Sequence, residues 1–247
     1  SYFGPQYDIH GGGLDLIFPH HDAEIAQMEA ASGKEPLVQY WMHTGFLNVR
    51  GEKMSKSLGN FITIKELLKD YEPDVYRFFV LSTHYRSPID FSDDILKQAE
   101  NSLKRIQNTA KLVVAQQEND NLPQDDECSI IDDLESFRSE FFDAMNNDFN
   151  TPIALSSLFD FTHKLNKVIA DNQVSAESLA LIVDTLKEVE SIFGFTIIVE
   201  DDASESSDEL LNILTDVRSQ LRADKNWDLA DKIRDDLAAL DINLEDK

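Results

Sequence analysis

The pattern of apolar and polar positions changes character about a quarter of the way along the chain. Tyr7-Asp8-Ile9-His10 alternates as a short strand does, and it runs into Gly11-Gly12-Gly13, which reads as a loop. Pro19 followed by Ala23, Ile25, Gln27, Met28 and Glu29 predicts a helix of about three turns. Leu37 to Val49 reads as extended chain, closed by a tight turn at Arg50-Gly51. Beyond residue 60 the period becomes helical. Thr63-x-x-Glu66 is a capping box ahead of Leu67-Leu68. Ser92, with Asp93 and Asp94 behind it, predicts the start of a longer helix whose stripe is Ile95, Ala99, Leu103, Ile106, Ala110 and Val113. Residues 116–128 are polar and acidic and read as a linker. Three amphipathic helices follow. The first carries Ile131, Leu134, Phe141 and Met145. The second is capped by Thr151, with Pro152 at its first position, and carries Leu155, Leu158, Phe159, Leu165 and Val168. The third carries Leu179, Ile182, Val183, Leu186, Val189 and Phe193, and Gly194 ends it. Glu200 to Asp208 is a second acidic linker before a last mixed-charge segment. The fold class is therefore α/β followed by all-α.

Composition narrows the class. The chain has 247 residues, 42% of them hydrophobic, which suits a globular protein with one large or two smaller cores. No run approaches the roughly 18 apolar residues of a membrane span. A single cysteine, Cys128, rules out an internal disulfide and predicts a reducing, cytoplasmic compartment. The opening Ser-Tyr-Phe-Gly-Pro, without an initiator Met, reads as a chain cut within a domain. The formal net charge of −25 is unevenly spread. Residues 1–110 hold 11 basic and 15 acidic side chains, and residues 111–247 hold 11 and 32. The first part is near neutral and leaves room for a local basic groove.

Three stretches carry chemistry. Lys53-Met54-Ser55-Lys56-Ser57 puts two point charges and hydroxyl donors on a loop, a tool for holding polyphosphate. The strand, glycines and Asp15 form a nucleotide-site pattern, because glycines admit a ligand to the backbone and an acid can accept from a ribose hydroxyl. His20 and Glu24, at i and i+4, share a helix face and could supply an imidazole and a carboxylate to zinc. A His–Glu surface pair has the same spacing, and His21 with Glu24 at i, i+3 is an alternative. Trp41 and His43 could line a pocket or fill a core. Toward the end, Arg218, Arg222, Lys225, Trp227 and Arg234 interleave base and aromatic as contacts to unpaired bases do, and a mixed-charge helix would look alike.

Taken together, Asp8–Leu16, Phe18–His21, Glu24–Gln27 and Lys53–Asn60 resemble the cysteinyl-tRNA synthetase family in order, spacing and wording. The likeness continues through Arg77-Phe78-Phe79, Tyr85-Arg86-Ser87-Pro88 and the run from Phe142 to Pro152. It implies the later half of a class I synthetase nucleotide-binding domain over residues 1–61 and a helical stem-contact region over 62–115. A helical tRNA-binding bundle over 129–199 and part of an anticodon-binding module over 208–247 would follow. It implies cysteine, ATP with magnesium and tRNA(Cys) as partners, in a monomeric parent protein. Lys53 and Lys56 would act on triphosphate charge, and Gly11, Gly12, Gly13 and Asp15 would receive the adenylate. His10, Trp41 and His43 would line the substrate pocket, and His20 and Glu24 would hold zinc. The family's zinc takes two further cysteines, expected upstream of residue 1. Asp22-Ala23 replaces the family's Glu-Asn, and Asp241 stands where a glycine is usual. Other readings are a relative joining cysteine to an amino sugar, a noncatalytic tRNA-binding fragment, and a metal-dependent hydrolase built on His20, His21 and Glu24.

Overall fold

Two parallel strands, β1 (Tyr7–Gly13) and β2 (Val38–Thr44), pair in the register Ile9↔Tyr40, His10↔Trp41 and Gly12↔His43. The computed structural model describes residues 4–49, 52–53, 62–119, 121–126 and 128–199. It also describes six helical positions, 217, 218, 221, 229, 232 and 233. Between β1 and β2 the chain makes a 3₁₀ turn (Leu14–Leu16), a π turn (Ile17–His21) and helix α1 (Asp22–Ser32), a right-sized parallel crossover. Gly33 ends α1 in the left-handed region at φ 67°. The Glu29 carboxylate then accepts from the Leu37 N–H at 2.8 Å and sets where β2 begins.

The expected glycine loop is instead the last part of a strand. β1 runs through Gly13 because β2 lies alongside it to Thr44 and offers a parallel backbone partner at every glycine. The predicted helix after Pro19 does run three turns, but its α-helical part starts at Asp22, so His20 and His21 belong to the π turn before it.

β3 (Leu47–Val49) pairs antiparallel with β4 (Glu52–Lys53) and parallel with β5 (Ile89–Phe91). Arg50 and Gly51, between β3 and β4, lie outside the described residues. α2 (Ile64–Leu67) opens on the predicted capping box. The Thr63 hydroxyl accepts from the Glu66 N–H at 3.1 Å, and the Glu66 carboxylate accepts from the Thr63 N–H at 3.0 Å. α3 (Pro73–Leu81) has proline in its first turn.

The remaining helices are α4 (Asp93–Gln117), α5 (Ile130–Asn146), α6 (Thr151–Ala170) and α7 (Ala176–Phe193). Their stripes follow the sequence closely, with small changes of phase. Leu96 rather than Ile95 leads the buried row of α4, and Ile130 and Ala144 bracket that of α5, with Ile131 and Met145 half-buried beside them. Thr151 is not the cap of α6. It is the first helical residue, and Asn150 accepts from the Ile153 N–H. The Thr151 hydroxyl instead donates to the Leu81 carbonyl at 2.6 Å, which joins α6 to α3. One apolar cluster runs from Leu67 through α3, α4, α5 and α6 to Ile197, with Phe137 stacked on Phe161 at 4.8 Å. The stretch read as a linker is shorter than expected, since α4 reaches Gln117. Its Asp126 accepts from Ser175 N–H and Ser178 Oγ at 2.7 and 2.6 Å and ties the segment to the start of α7. Cys128 is half-buried, its sulfur 3.6 Å from the Gln173 carbonyl oxygen.

Residues 200–247 form a separate unit. Arg218 is helical and buried there, while Arg222, Lys225, Trp227 and Arg234 lie outside the described residues. Among the described residues no helix is long and apolar enough to cross a membrane.

Candidate functional site

The C-terminal ends of paired parallel strands are where ligands bind in open α/β sheets. At that end of β1 and β2 the chain gathers several ring-bearing polar residues. Parallel pairing sets His10 beside Trp41 and Gly12 beside His43. The His10 imidazole meets the Trp41 indole edge-on at 5.0 Å, and Trp41 and His43 lie nearly parallel at 5.9 Å. The π turn then folds His21 into the middle of the group. Its ring centroid is 4.8 Å from that of His10 and 5.0 Å from those of Trp41 and His43. His21 Nδ1 is 2.8 Å from His43 Nε2, so one ring donates and the other accepts.

Glu24 completes the cluster from the first turn of α1. One carboxylate oxygen lies 3.0 Å from His10 Nε2 and the other 3.3 Å from His20 Nε2. The i, i+4 relation expected between His20 and Glu24 is therefore present, although His20 stands in the π turn and remains largely exposed. Ligand atoms of His10, His21 and Glu24 all lie within 4.8 Å of one another. Two imidazoles and a carboxylate form a donor set suited to zinc. His21, buried at 3% exposure, is held below the ordinary histidine range. Burial is the main cause, the neighbouring His10 adds to it, and Glu24 opposes it. A neutral ring suits both its bond to His43 and metal ligation through its other nitrogen.

The glycines earlier read as ligand-facing serve the packing of this cluster as well. A Cβ on Gly12 would lie 2.8 Å from His21 Cε1 and 2.9 Å from Leu16 Cδ1. A Cβ on Gly13 would meet the Asp15 carboxylate at 2.6 Å, so that acid folds back over the strand end. Gly11 is exposed and less crowded, with the Met42 carbonyl at 3.4 Å. Gly12→Ala is expected to cost about 1–3 kcal/mol, because Leu16 can swing away but the buried His21 ring cannot without leaving His43. Denaturant unfolding checks this, and an unchanged midpoint would show that the ring is not pinned there.

Of the predicted lysines, Lys53 has its backbone in β4, paired with Asn48. Its side chain, and Met54 to Ser57 with Lys56, lie outside the described residues. Sequence reasoning missed the central place of His21. The available signal was its position ahead of Ile25 and Met28, at i, i+4 and i+7, on the less exposed face of the turn and helix.

This fold is that of part of a class I aminoacyl-tRNA synthetase. A family model described as the class I (C) tRNA synthetase catalytic domain matches residues 1–101, and one for the DALR domain matches residues 140–197. The cysteine–tRNA ligase of Thermococcus gammatolerans is 46% identical over all of this chain and 52% of its own length. Those of Methanococcus maripaludis strain C7 and Heliobacterium modesticaldum are 44% and 41% identical, with 52% and 53% of their lengths covered. The chain is similar to these cysteine–tRNA ligases over its whole length, and it spans about half the length of the curated relatives it matches. Solved structures agree on the fold. An Agrobacterium radiobacter K84 LeuRS aligns with 70% of this chain and 24% of its own at TM-score 0.56 and 20% identity. A Mycobacterium tuberculosis methionyl-tRNA synthetase aligns with 66% of this chain and 34% of its own at TM-score 0.51 and 22% identity.

Proposed function

We propose that this chain carries the amino-acid and adenylate site of a cytoplasmic cysteine–tRNA ligase. The observation that carries the reading is the convergence of His10, His21, Glu24, Trp41 and His43 at the C-terminal end of a parallel strand pair. In the proposed reaction the cysteine carboxylate attacks the α-phosphorus of magnesium-bound ATP and pyrophosphate leaves. The cysteinyl group then passes to a terminal ribose hydroxyl of tRNA(Cys). Gly11, Gly12, Gly13 and the folded-back Asp15 form the strand end on which an adenylate would rest, and Asp15 is the acid that would accept from a ribose hydroxyl. Lys53 and Lys56 would stabilise charge on the departing phosphates.

Glu24 with His20, His10 and His21 would hold zinc. Bound there, the metal prefers a thiolate to a hydroxyl and so would favour cysteine over serine. The buried, neutral His21 keeps a nitrogen free of protons, while its bond to His43 sets the ring angle. Trp41, half-buried and edge-on to His10, would form part of the pocket wall. Arg222, Lys225, Trp227 and Arg234 are the proposed contacts to tRNA, and Arg218, expected among them from the sequence, is buried at 7% exposure and is left out.

The test is ATP–pyrophosphate exchange in the full-length protein that contains this chain. Exchange is expected to require cysteine and to be unsupported by serine. Residues 1–247 alone are expected to stay at background. Ile9 of β1, Phe18 of the π turn and Tyr40 of β2 are 62%, 74% and 70% exposed, apolar surface of a kind that a parallel-sheet domain normally covers before it can hold a substrate. Exchange supported equally by serine, or by no amino acid at all, would remove the reading.

A further inference from the structure

The loop between α3 and β5 is fastened on two sides, and the two fastenings join distant parts of the chain. On one side is the turn between α5 and α6. Asp148 and Phe149 there have φ of 57° and 53°, in the left-handed region that such residues seldom adopt. The Asp148 carboxylate accepts from Tyr85 Oη at 2.6 Å and from Arg86 Nε and Nη2 at 2.5 and 3.2 Å. The His84 ring Nε2 lies 3.0 Å from the Asp148 carbonyl oxygen. The hydrogen bond from Arg86, and next that from Tyr85, hold the Asp148 carboxyl down at about 2.

On the other side is the end of β2. The Gly45 N–H donates to the Tyr85 carbonyl at 2.7 Å, and a Cβ at Gly45 would lie 2.1 Å from the Ser87 carbonyl oxygen. The two backbones touch, and only glycine permits it. Beyond that contact the Ile89 N–H donates to the Phe46 carbonyl at 2.9 Å and opens β5. Two residues before Gly45 stands His43, whose ring is 2.8 Å from His21.

We propose that Asp148 is a positioning residue for the histidine cluster. Through Tyr85 and Arg86 it sets residues 84–87 against Gly45, and so fixes the end of β2 that presents His43 to His21. A change in the α5–α6 turn, such as a nucleic acid loading the helical bundle, is thereby felt at the site more than a hundred residues away in sequence. The proposal rests on reading that cluster as the amino-acid pocket.

Asp148→Ala and the milder Tyr85→Phe, made in the full-length protein, test it with two readouts. The first is the ring resonances of His43 and His21 in heteronuclear NMR, which a merely structural role would leave alone. The second is the split between KM for cysteine and KM for ATP in pyrophosphate exchange. The ring resonances are expected to move in both variants. KM for cysteine is expected to rise about tenfold in Asp148→Ala, a size usual for substitutions along a coupled network, with KM for ATP unchanged. Arg86→Lys, which keeps one donor on Asp148, should fall between. Variants that fold, melt earlier and leave both the ring resonances and KM for cysteine at wild-type values would overturn the proposal, and Tyr85→Phe serves if Asp148→Ala does not fold. Rings that move in a protein whose exchange does not depend on cysteine would support the coupling and remove the functional reading instead.

Discussion

Glu24→Ala in the full-length protein is expected to take its zinc content from about one ion per chain to near zero. The expectation follows from the position of one carboxylate. Its two oxygens face His10 and His20 separately, at 3.0 and 3.3 Å, and the buried His21 closes the third side. Removing any one histidine leaves two others near Glu24, whereas removing Glu24 takes away the one carboxylate that both His10 and His20 face. Zinc ligated by nitrogen and oxygen needs such donors deprotonated and held together, so losing the shared one should empty the site. Elemental analysis of purified protein reads this directly and does not depend on activity. Asp22→Ala, a neighbouring acid on α1, is the control and should retain the metal. His20→Ala and His10→Ala measured alongside divide the two contacts. Loss with His20→Ala and retention with His10→Ala gives the His20–Glu24 pair the ligand role and leaves His10 to the pocket. Unchanged zinc in Glu24→Ala would end the metal assignment.

Lys56→Ala should slow adenylate formation by about two to three powers of ten, the usual cost of deleting one preorganised group that stabilises charge at the reacting centre. In sequence Lys56 lies between two described elements. Lys53 is paired in the β4 hairpin before it, and the Thr63–Glu66 capping box begins α2 shortly after it. Cysteine affinity should change little, because the charge acts on the departing phosphates and the thiol lies at the histidine cluster. Single-turnover measurement of adenylate, with cysteine binding measured separately, checks both halves. A normal rate with weakened cysteine binding would contradict the role. Lys56→Arg should recover only part of the rate, since a planar fork does not replace a compact ammonium.

Much of the architecture is local and could be read directly. The capping box at Thr63, the cap at Ser92, the stripes of α4 to α7 and the stop at Gly194 depend on residues within one or two turns of one another. The 3.6-residue repeat and the need to satisfy terminal N–H groups set them whatever surrounds them. The His20–Glu24 pair is local in the same sense. What the tertiary structure decided are matters of register and long-range contact. Gly11 to Gly13 became strand because a partner thirty residues on ran beside them. His21 became the hub because the π turn aimed it between β1 and β2, where His43 waited 22 residues away. Thr151 gave up its expected cap because its hydroxyl found the Leu81 carbonyl, leaving the α6 N–H groups to Asn150. Asp148 met Arg86 across 62 residues. Such contacts depend on how strands pair and how a buried polar group finds a partner, and both are properties of the folded chain rather than of any window along it.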